Sequence, residues 1–483
     1  MMKVLNYCEP KAVFSFFEEI CSIPHGSGNT QYIADYCVSF AKERGLRYVR
    51  DEANNVILFK PGSVGYEDSP ALILQGHLDM VCAKTPDNPM DMTKDGLQLA
   101  VDGDWVHAVG SSLGADNGIA VAMALAILDD DTIPHPPLEV VLTTDEETGM
   151  DGAFALDASP LTGHRMINID SEEEGVFTVG CAGGVRAIGS LPISRISRSG
   201  LLCSISIAGL KGGHSGVEIH KGRGNAIRLL GRILYSLKAE GLLALSSLNG
   251  GVVDNAIPLE ATATLLLLPE QVSSVQNILK QQETILKEEY AEIDEDVEIV
   301  FHSGDLTTAE VVDEKNLNRI LSVMINTPNG VQKMSRDIPD LVQTSLNFGI
   351  VNLQSDIFSA VFSIRSSIEY EKQQVCDNLS QLFETLDGTV EFSGEYPGWA
   401  YRKNSPLREA FVSSYQTLFD KNPQIVAIHA GLECGLFSQK IDDLDCISIG
   451  PNMVDIHTVK ERLSISSTGR TYQLLLDVLK NSR

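Results

Sequence analysis

The stretch LILQGHLDMV, residues 72–81, decides how the chain is read. Leu72 to Gln75 have the composition of a buried strand, and Gly76, His77, Leu78 and Asp79 follow directly. A His and an Asp two positions apart after an apolar run are costly to bury unless something pairs with them. The same pattern recurs. The run at 138–142 leads to Thr143, Thr144, Asp145, Glu146 and Glu147, the run at 166–169 to Asp170, and the run at 446–449 through Gly450-Pro451-Asn452 to His457. Each run is short, rich in Val, Ile or Leu, and followed by turn residues, as buried strands of an α/β sheet are. Between them NGIAVAMALAIL, residues 117–128, predicts a helix with Asp116 near its N-terminus. In open α/β sheets, sites form beyond the carboxyl ends of the strands. Four runs that end in His or carboxylates therefore point to one shared site.

The chain's bulk properties narrow the classes. At 483 residues it is long for one core, and two domains are expected. A 43% hydrophobic and 21% charged composition fits a soluble globular protein. A formal net charge of -28 disfavours nucleic acid and anionic membrane surfaces as partners. The first twenty residues lack an uninterrupted apolar core of the signal-peptide kind, and no apolar stretch is long enough to span a membrane. Nine Cys, an odd number without CxxC pairs, suit a reducing compartment, hence a cytoplasmic location, and offer no thiolate zinc site.

The middle of the chain has a different texture. Helical stretches are expected at 225–241, 270–289 and 314–325, and strands at 201–208, 261–268 and 356–365. A helix–strand–strand–helix–strand order occurs twice, a hint of duplication. The run leading to His457 lies beyond this block. The expected architecture is α/β: a catalytic domain built from residues 1–184 and 396–483, with a mixed sheet flanked by helices, and an inserted α+β lid domain at 185–395.

The candidate site comprises His77, Asp79, Asp116, Glu146, Glu147, Asp170 and His457. Two His and several carboxylates without Cys suit zinc, cobalt or manganese. Gathered carboxylates repel one another. A divalent pair about 3.5–4 Å apart offsets that repulsion and clamps attacking and departing oxygens. In extended chain His77 and Asp79 point the same way, so Asp79 can hold the far nitrogen of a metal-binding His77. The side chains of adjacent Glu146 and Glu147 diverge, so one can ligate while the other serves a water as general base. Asp116 could bridge. Singly, each residue has an ordinary reading: a surface His-Asp pair, a solvated Glu pair, a charge at a helix N-terminus, an acidic turn, a structural His. Their combination points to a metal centre.

In this order, GHLDMV, SSLGADNGIA, TTDEETGMDGA and INIDSEEEG resemble the dinuclear metallopeptidases of the M20 type. GLKGGHSGVEIHKGRGNAI, residues 209–227, is similar to that family's lid segment. HAGLECGLF at 429–437 and DIHTVKER around His457 resemble the aminoacyl-histidine (Xaa-His) dipeptidases, or bacterial carnosinases. The resemblance covers essentially the whole chain. It implies two divalent ions per chain, zinc with cobalt or manganese as alternatives. His77 and Asp170 would hold one ion, Glu147 and His457 the other, and Asp116 would bridge. Asp79 would support His77, and Glu146 would be the general base and later the proton donor to the leaving amine. His214 would steady the tetrahedral intermediate, commonly in the partner subunit's site, with His220 a lesser alternative. Asn255 and Arg365 would hold the substrate's terminal carboxylate. Each also has a plainer reading: a turn residue for His214, an Asx-turn for Asn255, an acid partner for Arg365. The implied protein is a cytoplasmic homodimer that hydrolyses short peptides, β-alanyl-histidine among them, by hydroxide attack. The alternatives are an N-acyl amino acid amidohydrolase of the same family and a metal-binding homologue without chemistry. The retained Glu146 weighs against the second. Roles for Gly431 and Glu433, and the exact dipeptide preference, stay open.

Overall fold

The computed structural model describes residues 4–483. They form two compact units. One runs through Gly180 and resumes over Tyr401–Ala427 and Leu432–Arg483; the other is Cys181–Ala400 with Ile428–Gly431.

The first unit is organised by an eight-stranded sheet in the order Arg47–Arg50, Val56–Lys60, Leu138–Thr143, Leu72–His77, Arg165–Asn168, Asp445–Ser448, Val176–Cys181, Gln424–Ile428. The four middle strands are mutually parallel and antiparallel strands flank them. Leu72–His77 and Leu138–Thr143 are buried at every position. Burial on both faces is why these strands read as continuous apolar runs rather than alternating ones. Parallel direction places their carboxyl ends on one edge. His77 lies opposite Thr143 and Gln75 opposite Asn168, so the segments carrying Glu146, Glu147 and Asp170 leave the sheet beside His77.

Ala115–Asp129 forms the helix expected at 117–128 and is apolar nearly all round because it is buried nearly all round. Its first turn is distorted: Asp116 has φ -81 and ψ 103. Asn117 uses the distortion, accepting from the His77 N–H at 3.1 Å and donating to the Ile169 carbonyl at 2.6 Å. Gly76 makes the approach possible. A Cβ there would lie 2.5 Å from Asn117 Oδ1 and 2.8 Å from Ala120 Cβ. At the other end, the buried Lys60 donates Nζ to the carbonyls of Ile127, Leu128 and Asp130, a cation on the negative end of the helix dipole.

The second unit is an antiparallel sheet of nine strands. Its main path runs Glu298–Val312, Arg195–Ala208, Ala261–Leu267, Leu245–Gly250, Val342–Leu353, Ile357–Ser366, Gly183–Pro192, Thr389–Tyr396. Helices Ala226–Ala239, Val272–Glu289, Glu314–Asn326 and Glu369–Thr385 share one core with it, through residues such as Leu230, Leu279, Ile320 and Phe383. Two short strands apart, the order helix–strand–strand–helix–strand occurs twice, over 226–312 and over 314–396. The unit starts at Cys181 rather than 185 because Gly183–Pro192 is one of its strands, paired with Ile357–Ser366. Residues 428–431 join it because Ala182 N–H donates to the carbonyls of Ile428 and Ala430. Among the described residues, no helix is long and apolar enough to cross a membrane, and all nine Cys are free thiols.

Candidate metal centre

At the carboxyl edge of the parallel strands, two triads of potential ligands share one residue. His77, Asp116 and Asp170 form one; Asp116, Glu147 and His457 form the other; within each, one donor atom per residue lies within 4.8 Å of the rest. Asp116 faces both ways: Oδ1 is 3.1 Å from His77 Nε2 and Oδ2 is 3.1 Å from His457 Nε2. Asp170 Oδ1 is 3.5 Å from His77 Nε2, and Glu147 Oε1 is 2.9 Å from His457 Nε2. That Glu147 oxygen is buried and still has no hydrogen bond. Donor atoms that converge without satisfying one another have the geometry of ligands around a common centre. With N and O donors and no thiolate, the residues fit a pair of divalent ions. Glu146 stands beside them, grouped with His77 and Glu147.

Asp79 behaves differently from the expectation. His77 Nδ1 meets the backbone carbonyl of Asp79 at 3.0 Å, while the carboxylate is farther, at 3.4 Å. The fully buried carboxylate instead accepts from the backbone N–H groups of Glu146 (3.1 Å) and Glu147 (3.4 Å) and from the Ser27 hydroxyl (2.7 Å). Asp79 thus fixes the loop from which the two glutamates diverge, as well as bordering His77. Ser27 was not anticipated, since it lies 52 positions from its partner.

Two further buried acids have no role assigned from the sequence: Glu433, whose role it leaves open, and Glu461. Glu461 reaches the N-terminus of the helix Ala115–Asp129 and accepts from the N–H groups of Leu113 (2.8 Å), Gly114 (3.1 Å), Ala115 (2.8 Å) and Asp116 (3.4 Å). It stands four positions after His457, so one carboxylate ties the segments bearing Asp116 and His457. Glu433 accepts from Gln75 Nε2 and Thr143 Oγ1, and Gln75 Oε1 in turn accepts from Asn168 Nδ2. This strap joins the three strands that carry His77, the glutamate pair and Asp170.

Electrostatically the cluster is held by protons. Burial opposes charge on His77, but Asp170, Asp116 and Asp79 raise its pKa well above the usual value. The neighbouring carboxylates of Asp116 and Glu147 raise His457 to about 10. Burial, with Asp170, Glu433 and Glu147 nearby, lifts Glu146 to about 9. Cations entering this cluster must displace protons. At pH 7, metal binding is expected to release about three protons, those of His77, His457 and Glu146, and apparent affinity should rise with pH. Calorimetric titration in buffers of different ionisation enthalpy reads the number; no proton release would contradict the proposed ligand pair.

The remaining anticipated residues lie in the second unit. His214 is half-buried, and its Nδ1 accepts from the N–H groups of Gly216 and Val217, each at 3.2 Å. Those bonds leave the ring proton on Nε2, which becomes a fixed donor. His220 is exposed in the short turn Ile219–Lys221. Asn255 is exposed, and its carbonyl accepts from the Ser215 N–H. Arg365 is 9% exposed, on the strand Ile357–Ser366, and among the described residues it forms no ion pair.

The peptidase family M20/M25/M40 model matches residues 73–481. The cytosol non-specific dipeptidase of Escherichia coli K12 is 40% identical over 99% of this chain and 99% of its own length. The crystal structure of an aminoacylhistidine dipeptidase from Vibrio alginolyticus superposes with a TM-score of 0.94 and 38% identity, covering 99% of this chain and 98% of that one. An aminopeptidase from Bacillus cereus shares the fold at 13% identity, with a TM-score of 0.58. The family match spans every residue of the two triads, and the similarity to the Escherichia coli relative extends over 99% of the chain: the chain belongs to peptidase family M20/M25/M40.

Proposed function

We propose that this protein is a dinuclear metal-dependent dipeptidase. The observation that carries the reading is the pair of ligand triads joined through Asp116, with Glu146 beside them and outside the shared bridge. His77 and Asp170 would hold one ion, Glu147 and His457 the other, and Asp116 both. When bound, such a pair supplies the Lewis acidity that polarises a peptide carbonyl and acidifies a water. Glu146 would take the proton of the attacking water and deliver it to the leaving nitrogen. Asp79 would keep Glu146 and Glu147 aimed apart by holding their backbone N–H groups. His214, with its proton fixed on Nε2, has the donor needed for a developing oxyanion. Arg365 and Asn255 would receive the substrate's terminal carboxylate; Arg suits that task by its forked donors. Full-length similarity to two proteins named as dipeptidases supports the substrate class. One is named non-specific and the other for aminoacylhistidine, so Xaa-His dipeptides such as β-alanyl-histidine belong in the proposed range. Zinc as the resident metal, a cytoplasmic location and a homodimer complete the reading.

The test is a hydrolysis panel with zinc- or cobalt-loaded protein: β-alanyl-histidine, other Xaa-His dipeptides, unrelated dipeptides, a tripeptide and N-acetyl amino acids, each with and without chelator. Chelator-sensitive cleavage of dipeptides is expected. Cleavage confined to the N-acetyl compounds would move the function to an acylase, and no cleavage by protein holding two metals would leave a binding protein.

A further inference from the structure

Arg365 is buried, carries a permanent charge, and among the described residues has no carboxylate within ion-pair distance. A buried guanidinium without a counter-charge is costly. Its Nε is also buried and without a hydrogen bond. One of its terminal nitrogens, however, is engaged: Nη1 donates to the Tyr396 hydroxyl at 2.9 Å. The hydroxyl oxygen is the acceptor there, so its hydrogen points elsewhere.

The ring of Tyr396 is fixed by backbone on two sides. A Cβ at Gly184 would lie 2.5 Å from its Cζ and Oη, and a Cβ at Gly431 would lie 2.8 Å from its Cε2. Only glycine at both positions leaves room for the ring where it stands, and this gives Gly431 of the HAGLECG stretch a structural task. Lys372 Nζ holds the Tyr396 carbonyl at 3.1 Å. Burial raises the phenol's pKa, so it keeps its proton. Ser345 lies opposite Arg365 on the adjacent strand and is 2.7 Å from His429 Nε2. Burial and the Arg365 charge hold His429 neutral, its pKa lowered to about 3. Lys372 is paired with Glu369 and Glu395, each at 3.1 Å, so Arg365 is the unpaired positive charge here, and with the hydroxyl donor of Tyr396 beside it the arrangement suits a single carboxylate.

We propose that Tyr396 is a substrate-positioning residue: it orients Arg365 by accepting from Nη1 and donates its own hydroxyl hydrogen to the substrate's terminal carboxylate. The inference rests on the dipeptidase reading, and it adds a donor that sequence spacing could not show, since Tyr396 stands 31 positions from Arg365.

The experiment compares Tyr396→Phe with the parent in a Glu146→Ala background, so that peptide stays intact, and measures binding of β-alanyl-histidine and of its C-terminal amide by calorimetry. Loss of one hydrogen bond to a charged group should weaken the free acid about tenfold and leave the amide within about twofold. Equal weakening of both, or of neither, would overturn the proposal, as would absence of binding in the parent. Turnover with Glu146 intact should show the same split, KM rising while kcat stays within about twofold. If the Glu146-intact protein cleaves no dipeptide, the dipeptidase reading fails, and the acid-versus-amide binding pair still decides the role of Tyr396.

Discussion

Replacing Glu146 with Gln is expected to lower kcat by about 10³, within the usual range of about 10²–10⁴ for a lost general base, while the protein still binds two metal equivalents. The two effects separate because Glu146 lies outside both triads bridged by Asp116. The backbone of Glu146 is held by Asp79 at 3.1 Å whatever the side chain, so Gln should sit where Glu sat. The protonation state sharpens the prediction. Without cations, burial and the neighbouring Asp170, Glu433 and Glu147 raise the Glu146 pKa to about 9, and the carboxyl would hold its proton at neutral pH. A divalent pair beside it favours the ionised form and lowers that value. The base must be ionised to act, so kcat/KM of the loaded enzyme should rise with pH on its acid side, and the Gln variant should lack that limb. A Gln variant that keeps more than a tenth of the activity, or that loses its metals, would remove Glu146 from the role.

What the sequence disclosed, and what it hid, follows from sequence distance and burial. The central strands were legible because burial on both faces makes them unbroken apolar runs, and the four that matter end in charged or turn residues. Parallel strands with adjacent ends then turned a list of acids and His into one location. The strand Glu298–Val312 was not read because it lies at the sheet's edge and is exposed along most of its length, which leaves no alternation to see. The helix Glu369–Thr385 was missed for a related reason. Its buried residues include Glu371 and Lys372, polar groups satisfied by tertiary partners such as Lys333 and the Tyr396 carbonyl. Asp79 shows the limit at the site itself. A spacing of two places its carboxylate near His77, but nothing local reveals that the N–H groups of Glu146 and Glu147, 67 and 68 positions away, compete for the same oxygens. The tasks of Glu433, whose role the sequence leaves open, and of Glu461 were hidden, because their partners stand hundreds of positions away.

Glu461 carries the second large expected effect. Its carboxylate accepts three backbone N–H groups at 2.8–3.1 Å and a fourth at 3.4 Å. It is 2% exposed, so water cannot readily replace it. Removing an acceptor from buried donors costs about 1–3 kcal/mol per group. Partial relaxation around an Ala should leave Glu461→Ala destabilised by about 3–5 kcal/mol. The same carboxylate sits between the segments bearing Asp116 and His457, one the shared member of both triads and the other a member of the second. Loosening it should therefore weaken metal binding as well as folding. The two effects can be told apart. Denaturant unfolding of chelated protein reads the lost cap alone. The extra stability gained when metal is added reads binding, because a ligand of the native state stabilises it by mass action. The variant should show both a lower midpoint when chelated and a smaller gain with metal. A variant that matches the parent when chelated would mean that the helix terminus does not depend on Glu461. One that is less stable yet gains as much from metal would confine Glu461 to folding and leave Asp116 and His457 positioned without it.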